Sequence, residues 1–315
     1  MRVRRKLGWR VAIAASLAAV VPGPSPAEGD TLLAADPSAE NVSAFGGVLM
    51  WSRADPGGRH HLAQRVGGVV SDAPVAASRQ PFDPDLGPGP GGRVTATYQR
   101  CRGGLRRCDV YRLEVGQGRE RKVRSVSSSA GSEFSPSVWA GRYAFVREAP
   151  LREGVFTVAR GPARFLSGRS ATETDIRGRT VAFATYAASD SVQVDLTGIW
   201  VQRVRGRGRG RSCLVDRGDQ TGEEGTALNS PVLDGGNVYW HDFTAAPGIV
   251  ERVARAPLAA ACSRRPRVEV GNRTLPVGID SIAVDRGTVY YTQGDYVDAL
   301  GVYVADSPPP RFIGG

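Results

Sequence analysis

Six polar residues recur at the start of a repeated phrase, and they are the residues best suited to bind a ligand. Each phrase joins a small polar residue, often followed by proline, to a short apolar stretch, a turn with glycine and an apolar or aromatic strand. Hydroxyl, amide and carboxylate groups can hydrogen-bond a polar ligand or coordinate a hard cation. The six residues are Asn41, Asp83, Ser135, Glu173, Ser230 and Ser281, and Asp280 precedes the last of them.

The spacing of the phrases predicts the elements that position these residues. Successive copies lie 38 to 57 residues apart, which suits four short strands with their loops. One such unit cannot bury its own faces and must stack against its neighbours. We predict an all-β fold, a six-bladed β-propeller of four-stranded antiparallel blades similar to WD40-type repeats, and the alternative is a pair of β-sandwiches. The predicted blades cover residues 40–78, 81–126, 132–168, 171–217, 227–271 and 278–313.

In a propeller the first strand of each blade lines the central channel, so the six polar residues are expected to ring one mouth of that channel. Serine, asparagine and aspartate at a strand start also cap turns, particularly before proline, as at Pro84, Pro136 and Pro231. The two roles are compatible. The acidic members Asp83, Asp85, Glu173 and Asp280 offer oxygen ligands, so Ca²⁺ is an alternative to the prediction of no cofactor.

Nucleophilic catalysis finds little support in the sequence. The chain has three histidines and no Gly-x-Ser-x-Gly motif. His241 and Asp242 are neighbours, and adjacent residues of a strand point to opposite faces, which separates a base from its orienting acid. We expect His241 to be a non-catalytic histidine at the end of a strand, and no catalytic residue is predicted.

The amino-terminal residues indicate export. Basic residues precede an apolar run over 11–21, and small residues around Ala27 fit a signal peptidase site, so residues 1–27 are predicted to be a signal peptide. The run is too short to predict a transmembrane anchor. Residues 28–39 are expected to form an amino-terminal extension and 40–315 a single propeller, located in the extracellular space or the cell envelope.

The net charge is too weakly positive to indicate nucleic acid as the partner, and the predicted export argues against it. The whole chain carries a net charge of +10, and residues 1–27 hold five basic residues and no acidic one, which leaves +5 after cleavage. An arginine and glycine tract from Arg203 to Arg211 offers Arg205, Arg207 and Arg209 to anionic cell-wall polymers or phospholipid headgroups. The alternative is a solvated loop, since no aromatic residue interleaves with the arginines.

The four cysteines of an exported chain suggest disulfides. Cys101 and Cys108 flank a short loop between two strands, so a bridge closing that hairpin is predicted. Cys213 and Cys262 lie near corresponding places in successive repeats and are expected to pair, and two free buried thiols are the alternative.

Several turn-and-strand phrases resemble the blades of the TolB-like six-bladed propellers. They are Phe134-Ser-Pro-Ser, Ser230-Pro-Val-Leu-Asp-Gly-Gly followed by Val238-Tyr-Trp, and Gly301-Val-Tyr-Val-Ala-Asp. The resemblance covers the propeller part only, because no room for the amino-terminal domain of TolB precedes the first blade. It implies a fold and a tendency to bind other proteins.

The sequence thus predicts a monomeric, secreted, non-enzymatic module that binds a protein or a cell-envelope polymer at the channel mouth or on one face. One alternative is a propeller hydrolase or lyase, lactonase-like or glycan-acting, with its site at the same mouth. Another is a structural domain without a ligand.

Overall fold

A computed structural model describes the chain over residues 30–103, 107–127, 131–149, 152–159, 161–189, 194–204, 210–221, 224–245, 248–263, 266–271, 275, 278–293, 301–305 and 312–314. The predicted signal peptide and Arg205, Arg207 and Arg209 lie outside these residues. All regular structure in the described parts is β-strand, and no helix there is long and apolar enough to cross a membrane.

The strands follow one another as short segments of two to eleven residues. The first thirteen are β1 (Thr31–Ala35), β2 (Glu40–Phe45), β3 (Val48–Ala54), β4 (His60–Val66), β5 (Val69–Asp72), β6 (Asp85–Pro88), β7 (Val94–Cys101), β8 (Cys108–Glu114), β9 (Arg121–Lys122), β10 (Ser132–Trp139), β11 (Arg142–Glu148), β12 (Gly154–Val158) and β13 (Arg164–Ser167). The others are β14 (Ala171–Arg177), β15 (Thr180–Ser189), β16 (Val194–Arg203), β17 (Ser212–Thr221), β18 (Glu224–Asp234), β19 (Asn237–Ala245), β20 (Ile249–Pro257), β21 (Glu269–Gly271), β22 (Ile279–Asp285), β23 (Thr288–Gln293), β24 (Gly301–Val304) and β25 (Phe312–Gly314).

These strands form six four-stranded antiparallel blades, which confirms the predicted propeller. Blades one to five consist of β2–β5, β6–β9, β10–β13, β14–β17 and β18–β21 in chain order, and blade six combines β22, β23 and β24 with β1. The innermost strand of each blade is β2, β6, β10, β14, β18 or β22. We call the end of the channel where these strands begin the mouth face, and the end where they turn into the second strand the turn face.

The outermost strand of blade six differs from the expectation. β1 pairs with β24, from Thr31 opposite Val304 to Ala35 opposite Gly301, and so joins the start of the propeller to its end. The segment expected there, around Pro310–Ile313, is instead represented by β25, which pairs with β21 as a fifth strand of blade five. The prediction completed blade six with the segment that follows β24 in sequence. The strand that pairs with β24 is instead β1, from the other end of the chain, and sequence order gives no sign of so distant a contact.

The hydrophobic core lies between the blades. Trp51 and Trp240 are fully buried, each in the second strand of its blade. Trp51 belongs to a cluster that packs blade six against blade one, and its Nε1 donates to Asp36 Oδ2 at 2.8 Å. Trp240 belongs to a cluster shared by blades four and five. The aromatic residues that end five of the six phrases are therefore core residues: Trp51, Phe145, Phe183, Trp240 and Tyr291.

Both predicted disulfides are present, and the alternative of two free thiols is wrong. Cys101 and Cys108 are paired residues of β7 and β8, and their sulfurs are bonded. Cys213 in β17 is bonded to Cys262 in the turn after β20, so this bridge links blade four to blade five.

Blades four and five share one continuous sheet that rises above the mouth face. β17 pairs with β18 through Gln220 and Gly225, and residues 186–189 of β15 continue past Thr185, the last partner of the innermost strand β14. Four residues extend a strand by about 13 Å. This raised edge makes one side of the mouth higher than the rest.

Candidate binding site at the channel mouth

The structure brings all seven predicted mouth residues together. They line one cavity of about 460 Å³ that opens at the mouth face of the channel. Asp280 is exposed to this cavity, whereas Asp83 and Glu173 are half-buried. That they bind a ligand stays a prediction.

Several mouth residues occupy β-bulges. The pairing of β2 with β3 shifts between Glu40 and Ser43, and the pairings of β10 with β11 and of β18 with β19 shift at the equivalent places. Asn41, Ser135 and Ser230 lie in these bulges with φ angles of 54°, 43° and 50°. A left-handed backbone costs a non-glycine residue about 1–2 kcal/mol. The bulge turns each residue out of the regular pleat, at a cost that the surrounding hydrogen bonds offset.

Carboxylates stand at the mouth on every second blade. Asp83 leads into blade two, Glu173 belongs to blade four and Asp280 to blade six, while blades one, three and five present the neutral residues Asn41, Ser135 and Ser230. The three carboxylates therefore surround the channel axis as a pseudo-threefold set.

Each mouth carboxyl group is hydrogen-bonded to the neutral residue of the next blade. Asn41 N–H donates to Asp280 Oδ2 at 2.9 Å, and Ser230 N–H donates to Glu173 Oε2 at 2.5 Å. Ser135 Oγ lies 2.8 Å from both Asp83 Oδ2 and the Thr172 carbonyl oxygen. A hydroxyl has one proton, so both contacts are satisfied only when Asp83 is protonated and donates.

These bonds also correct the turn-cap interpretation. The mouth side chains hold neighbouring blades together instead of capping their own turns. Ser281 follows the same pattern, because its Oγ accepts from the Val42 N–H at 2.7 Å across the junction of blades six and one.

A second tier of polar groups lies deeper in the channel, and sequence reasoning missed its role. Asp85 Oδ2 accepts from Val138 N–H at 2.7 Å, Asp175 Oδ2 from Leu233 N–H at 2.5 Å, and Ser43 Oγ from Leu86 N–H at 2.8 Å. Ser43, Asp85 and Asp175 each follow a mouth residue by two positions. Because alternate residues of a strand share a face, that spacing was the signal in the sequence.

Two aspartates at the turns between first and second strands also join blades. Asp234 accepts from the Gly287 N–H at 2.8 Å, and Asp285 accepts from the Gly47 N–H at 3.1 Å. Asp234 is in addition ion-paired with Arg177, which is the one basic residue among the described residues lining the cavity.

The electrostatic state of the cavity follows from burial and from repulsion between carboxylates. Burial, together with the charges of Asp83 and Asp280, raises the pKa of Glu173 to about 7 against the opposing hydrogen bond from Ser230. Burial also raises the pKa of Asp83 and of Asp280. The mouth therefore holds acidic groups that release their protons with difficulty.

The deeper tier behaves in the same way. Burial raises the pKa of Asp175 to about 6, although hydrogen bonds from Leu233 and Ile176 oppose the rise. Burial and the charge of Asp175 raise the pKa of Asp85 well above its ordinary value. Within the parts of the chain that the structure describes, no three His, Cys, Asp or Glu residues are arranged to hold a metal ion.

His241 is buried in the middle of β19 and not at a strand end, which corrects the expectation. Its Nε2 lies 2.9 Å from Glu251 Oε2, and its Nδ1 lies 3.0 Å from Asn229 Oδ1. Glu251 also accepts from the N–H groups of Gly278 and Ile279 at 2.7 and 3.0 Å. The pair fastens blade five to the start of blade six, and Asp242 takes no part in it.

No protein-family model and no curated protein matches the chain. Among solved structures, the puromycin-hydrolyzing peptidase of Mycobacterium tuberculosis is similar over 88% of this chain and 52% of that chain, with 12% identity and a TM-score of 0.53. An oligogalacturonate lyase in complex with manganese is similar over 92% of this chain and 82% of its own, with 11% identity and a TM-score of 0.53.

A TolB structure from Acinetobacter baumannii is similar over 73% of this chain and 55% of that chain, with 9% identity and a TM-score of 0.43. The chain thus spans about half the length of the peptidase and of TolB. The TolB-like family stays a prediction at this level of similarity. What the peptidase and the lyase share with this chain is the β-propeller fold.

Proposed function

We propose that the protein is a binding module of the extracytoplasmic space that captures a primary ammonium group, such as a lysine side chain of a partner protein, at its channel mouth. The observation that carries this proposal is the set of carboxylates Asp83, Glu173 and Asp280 on alternate blades around one cavity. The two disulfides favour an oxidising compartment.

The charge of the cavity selects a cation. A positive group on the channel axis stabilises the ionised carboxylates, whose raised pKa values reflect lost hydration and mutual repulsion. Binding must then lower these pKa values and release protons near neutral pH. The inter-blade hydrogen bonds keep the carboxylates in place before the ligand arrives, which reduces the entropy that binding costs.

The symmetry of the carboxylates favours ammonium over guanidinium. An ammonium group carries three N–H donors arranged around its C–N bond, which matches three acceptors placed around an axis. Guanidinium is planar and suits a bidentate fork on one carboxylate. The cavity of about 460 Å³ has room for one long side chain. The raised edge of blades four and five provides a flanking surface for the rest of the partner.

Calorimetric titration with short peptides tests the proposal. A lysine peptide should bind, its acetyl-lysine and glutamate counterparts should not, and the arginine peptide should bind more weakly. Protons released on binding should appear as a dependence of the heat on buffer ionisation. Glu173→Gln should weaken binding, and Glu153→Gln, which alters an exposed carboxylate outside the cavity, is the matched control.

Equal binding of the lysine and glutamate peptides, or none of either, contradicts the proposal. A separate titration with CaCl₂ distinguishes a metal from an amine: binding of Ca²⁺ that excludes the lysine peptide would assign the mouth to a divalent cation instead.

A second candidate is a propeller hydrolase or lyase acting on glycans or lactones, and one observation favours it. A carboxyl group with a pKa of about 7 is matched to general acid or base catalysis at neutral pH, and Glu173 is such a group. In that case Glu173→Gln would abolish turnover of a chromogenic glycoside or lactone. Absence of turnover in the wild-type protein, with lysine binding intact, excludes this candidate for those substrates.

A further inference from the structure

The cavity at the mouth continues down the channel to an aromatic floor near the turn face. Its lining includes Phe45 and Trp139, which end β2 and β10. Their rings meet edge to face, with centroids 5.6 Å apart and an angle of 80° between the ring planes. Blades one and three are not neighbours, so this contact crosses the channel. The two rings therefore form a floor beneath the polar tiers.

Blades four and five hold this floor in place. The Arg177 guanidinium lies over the Trp139 ring, 4.9 Å from its centroid, and donates to the Leu233 carbonyl oxygen at 3.0 Å. Arg177 is also ion-paired with Asp234, so its charge is already used within the protein. Phe45 and Trp139 are only half-buried. What the floor presents to the cavity is therefore aromatic surface.

The floor lies close below the deeper carboxylates. Asp175 and Arg177 are two residues apart on β14, about 7 Å along the strand, whereas Glu173 at the mouth is about 13 Å from Arg177. Burial, and after it the charge of Asp175, raises the pKa of Asp85, so these two carboxylates lie near each other. A ligand that reaches from this tier to the floor needs a cationic end and an aromatic end joined by a short link.

We propose that the channel binds a small primary amine that carries an aromatic ring, with the ring against Phe45 and Trp139 and the ammonium group beside Asp85 and Asp175. This inference rests on the proposed capture of an ammonium group and names the class of ligand. A lysine side chain enters with its ammonium group first and leaves the floor uncovered. An arylalkylamine covers both ends of the cavity, because aromatic rings pack well edge to face or offset against one another.

Calorimetric titration with phenethylamine, ethylamine and phenethyl alcohol tests the proposal. Ethylamine lacks the ring, and phenethyl alcohol lacks the charge. Phenethylamine should bind roughly tenfold to a hundredfold more tightly than ethylamine, which is the effect of burying a phenyl ring. It should bind at least roughly tenfold more tightly than phenethyl alcohol, because a hydrogen bond between two charged groups is lost in the alcohol.

A matched pair of variants locates the ring. Phe45→Leu should reduce the advantage of phenethylamine over ethylamine roughly twofold to tenfold, because an aliphatic side chain cannot make the aromatic contact. Phe165→Leu is the control, since Phe165 is also half-buried and in edge-to-face contact with a second ring, that of Phe156, but lies outside the cavity lining. It should leave both affinities within a factor of about two of the wild-type values.

Tryptophan fluorescence reports on the floor independently. Trp139 belongs to the described lining of the cavity, whereas Trp51 and Trp240 are fully buried and Trp200 lies outside that lining. Phenethylamine should change the emission of the wild-type protein and ethylamine should not. Trp139→Phe retains a ring and should still bind phenethylamine, but without the change in emission.

The outcomes separate this inference from the proposed function. Equal affinity for phenethylamine and ethylamine would overturn the aromatic site and leave the capture of an ammonium group intact. Equal affinity for phenethylamine and phenethyl alcohol would overturn the amine and the proposed function together. Equal losses in Phe45→Leu and Phe165→Leu, or an emission change that persists in Trp139→Phe, would overturn the floor as the place of the ring. So would absence of phenethylamine binding while the lysine peptide binds.

Discussion

Replacing Glu173 with glutamine should remove part of the pH dependence of stability. Folding raises the pKa of Glu173 from its ordinary 4.5 to about 7. Between these two pH values the folded protein keeps a proton that the unfolded chain has released. The free energy of unfolding therefore falls as the pH rises through this range, and a shift of this size costs the folded state at most about 3 kcal/mol above pH 7.

Glutamine retains the bond that Glu173 makes. Its amide oxygen can accept from the Ser230 N–H, which donates to Glu173 Oε2 at 2.5 Å, and it cannot ionise. At pH 5 the folded wild-type carboxyl is largely protonated, and the variant should be the more stable by less than about 1 kcal/mol. At pH 8 the variant should be the more stable by about 1–3 kcal/mol, because partial hydration of the half-buried carboxylate reduces the full value.

Urea unfolding at pH 5 and pH 8, followed by tryptophan fluorescence, measures the difference. Low ionic strength keeps the repulsion from Asp83 and Asp280 unscreened. Glu153→Gln, at an exposed carboxylate away from the channel, controls for loss of one negative charge and should track the wild type. A Glu173→Gln variant that loses as much stability as the wild type between pH 5 and pH 8 would refute the assigned cause.

Three further predictions concern the framework. The double change Cys213→Ser/Cys262→Ser removes a bridge across 49 residues and should lower the free energy of unfolding by about 2–5 kcal/mol in denaturant titrations, and added reductant should then act on the variant only through the Cys101–Cys108 bridge. Trp51→Ala removes a fully buried ring and the Nε1 donor of Asp36 Oδ2, so a loss of about 3–5 kcal/mol is expected, whereas Trp51→Phe removes the same donor but retains a ring and should lose less. Deletion of residues 28–35 removes β1 and exposes the edge of β24; hydrogen exchange should then rise first in blade six, and unchanged protection there would contradict ring closure by this strand.

The blade pattern could be predicted because the residues that specify it lie close together within each repeat. A polar start, an apolar strand, a tight turn and a second strand recur within each repeat. The turn between β2 and β3 shows why glycine is part of the phrase: Gly46 and Gly47 have φ angles of 61° and 79°, which a two-residue hairpin requires. Such signals need no knowledge of the rest of the chain.

Other features depend on contacts between residues far apart in the chain, and the sequence near each residue gives no signal of them. β1 lies next to β24 across some 270 residues of sequence, and β25 reaches back to β21. Nothing in the nearby sequence identifies Glu251 as the partner of His241, because His241 is paired in register with Val253 and reaches Glu251 diagonally across β19 and β20. The mouth residues were found because they begin the repeat, but their raised pKa values come chiefly from burial, which only the assembled ring of blades provides.

The alternation of charge around the mouth argues that its carboxylates do more than hold the blades together. Linking one blade to the next requires a hydrogen-bond acceptor, and a neutral side chain provides one: Ser281 Oγ accepts from Val42 N–H, and Ser43 Oγ from Leu86 N–H. Asp280 and Glu173 accept the same kind of bond from main-chain N–H groups, with the added cost of the lost hydration that raises the pKa of each carboxylate. A carboxylate has about four acceptor positions, and one N–H occupies one of them. Asp280 Oδ2 also accepts from the Thr292 hydroxyl at 3.5 Å, and the cavity lined by these carboxylates offers one arginine in its described lining, already paired with Asp234. A structural role alone would be served better by serine or asparagine, whereas capture of a cation explains why a carboxylate stands on every second blade.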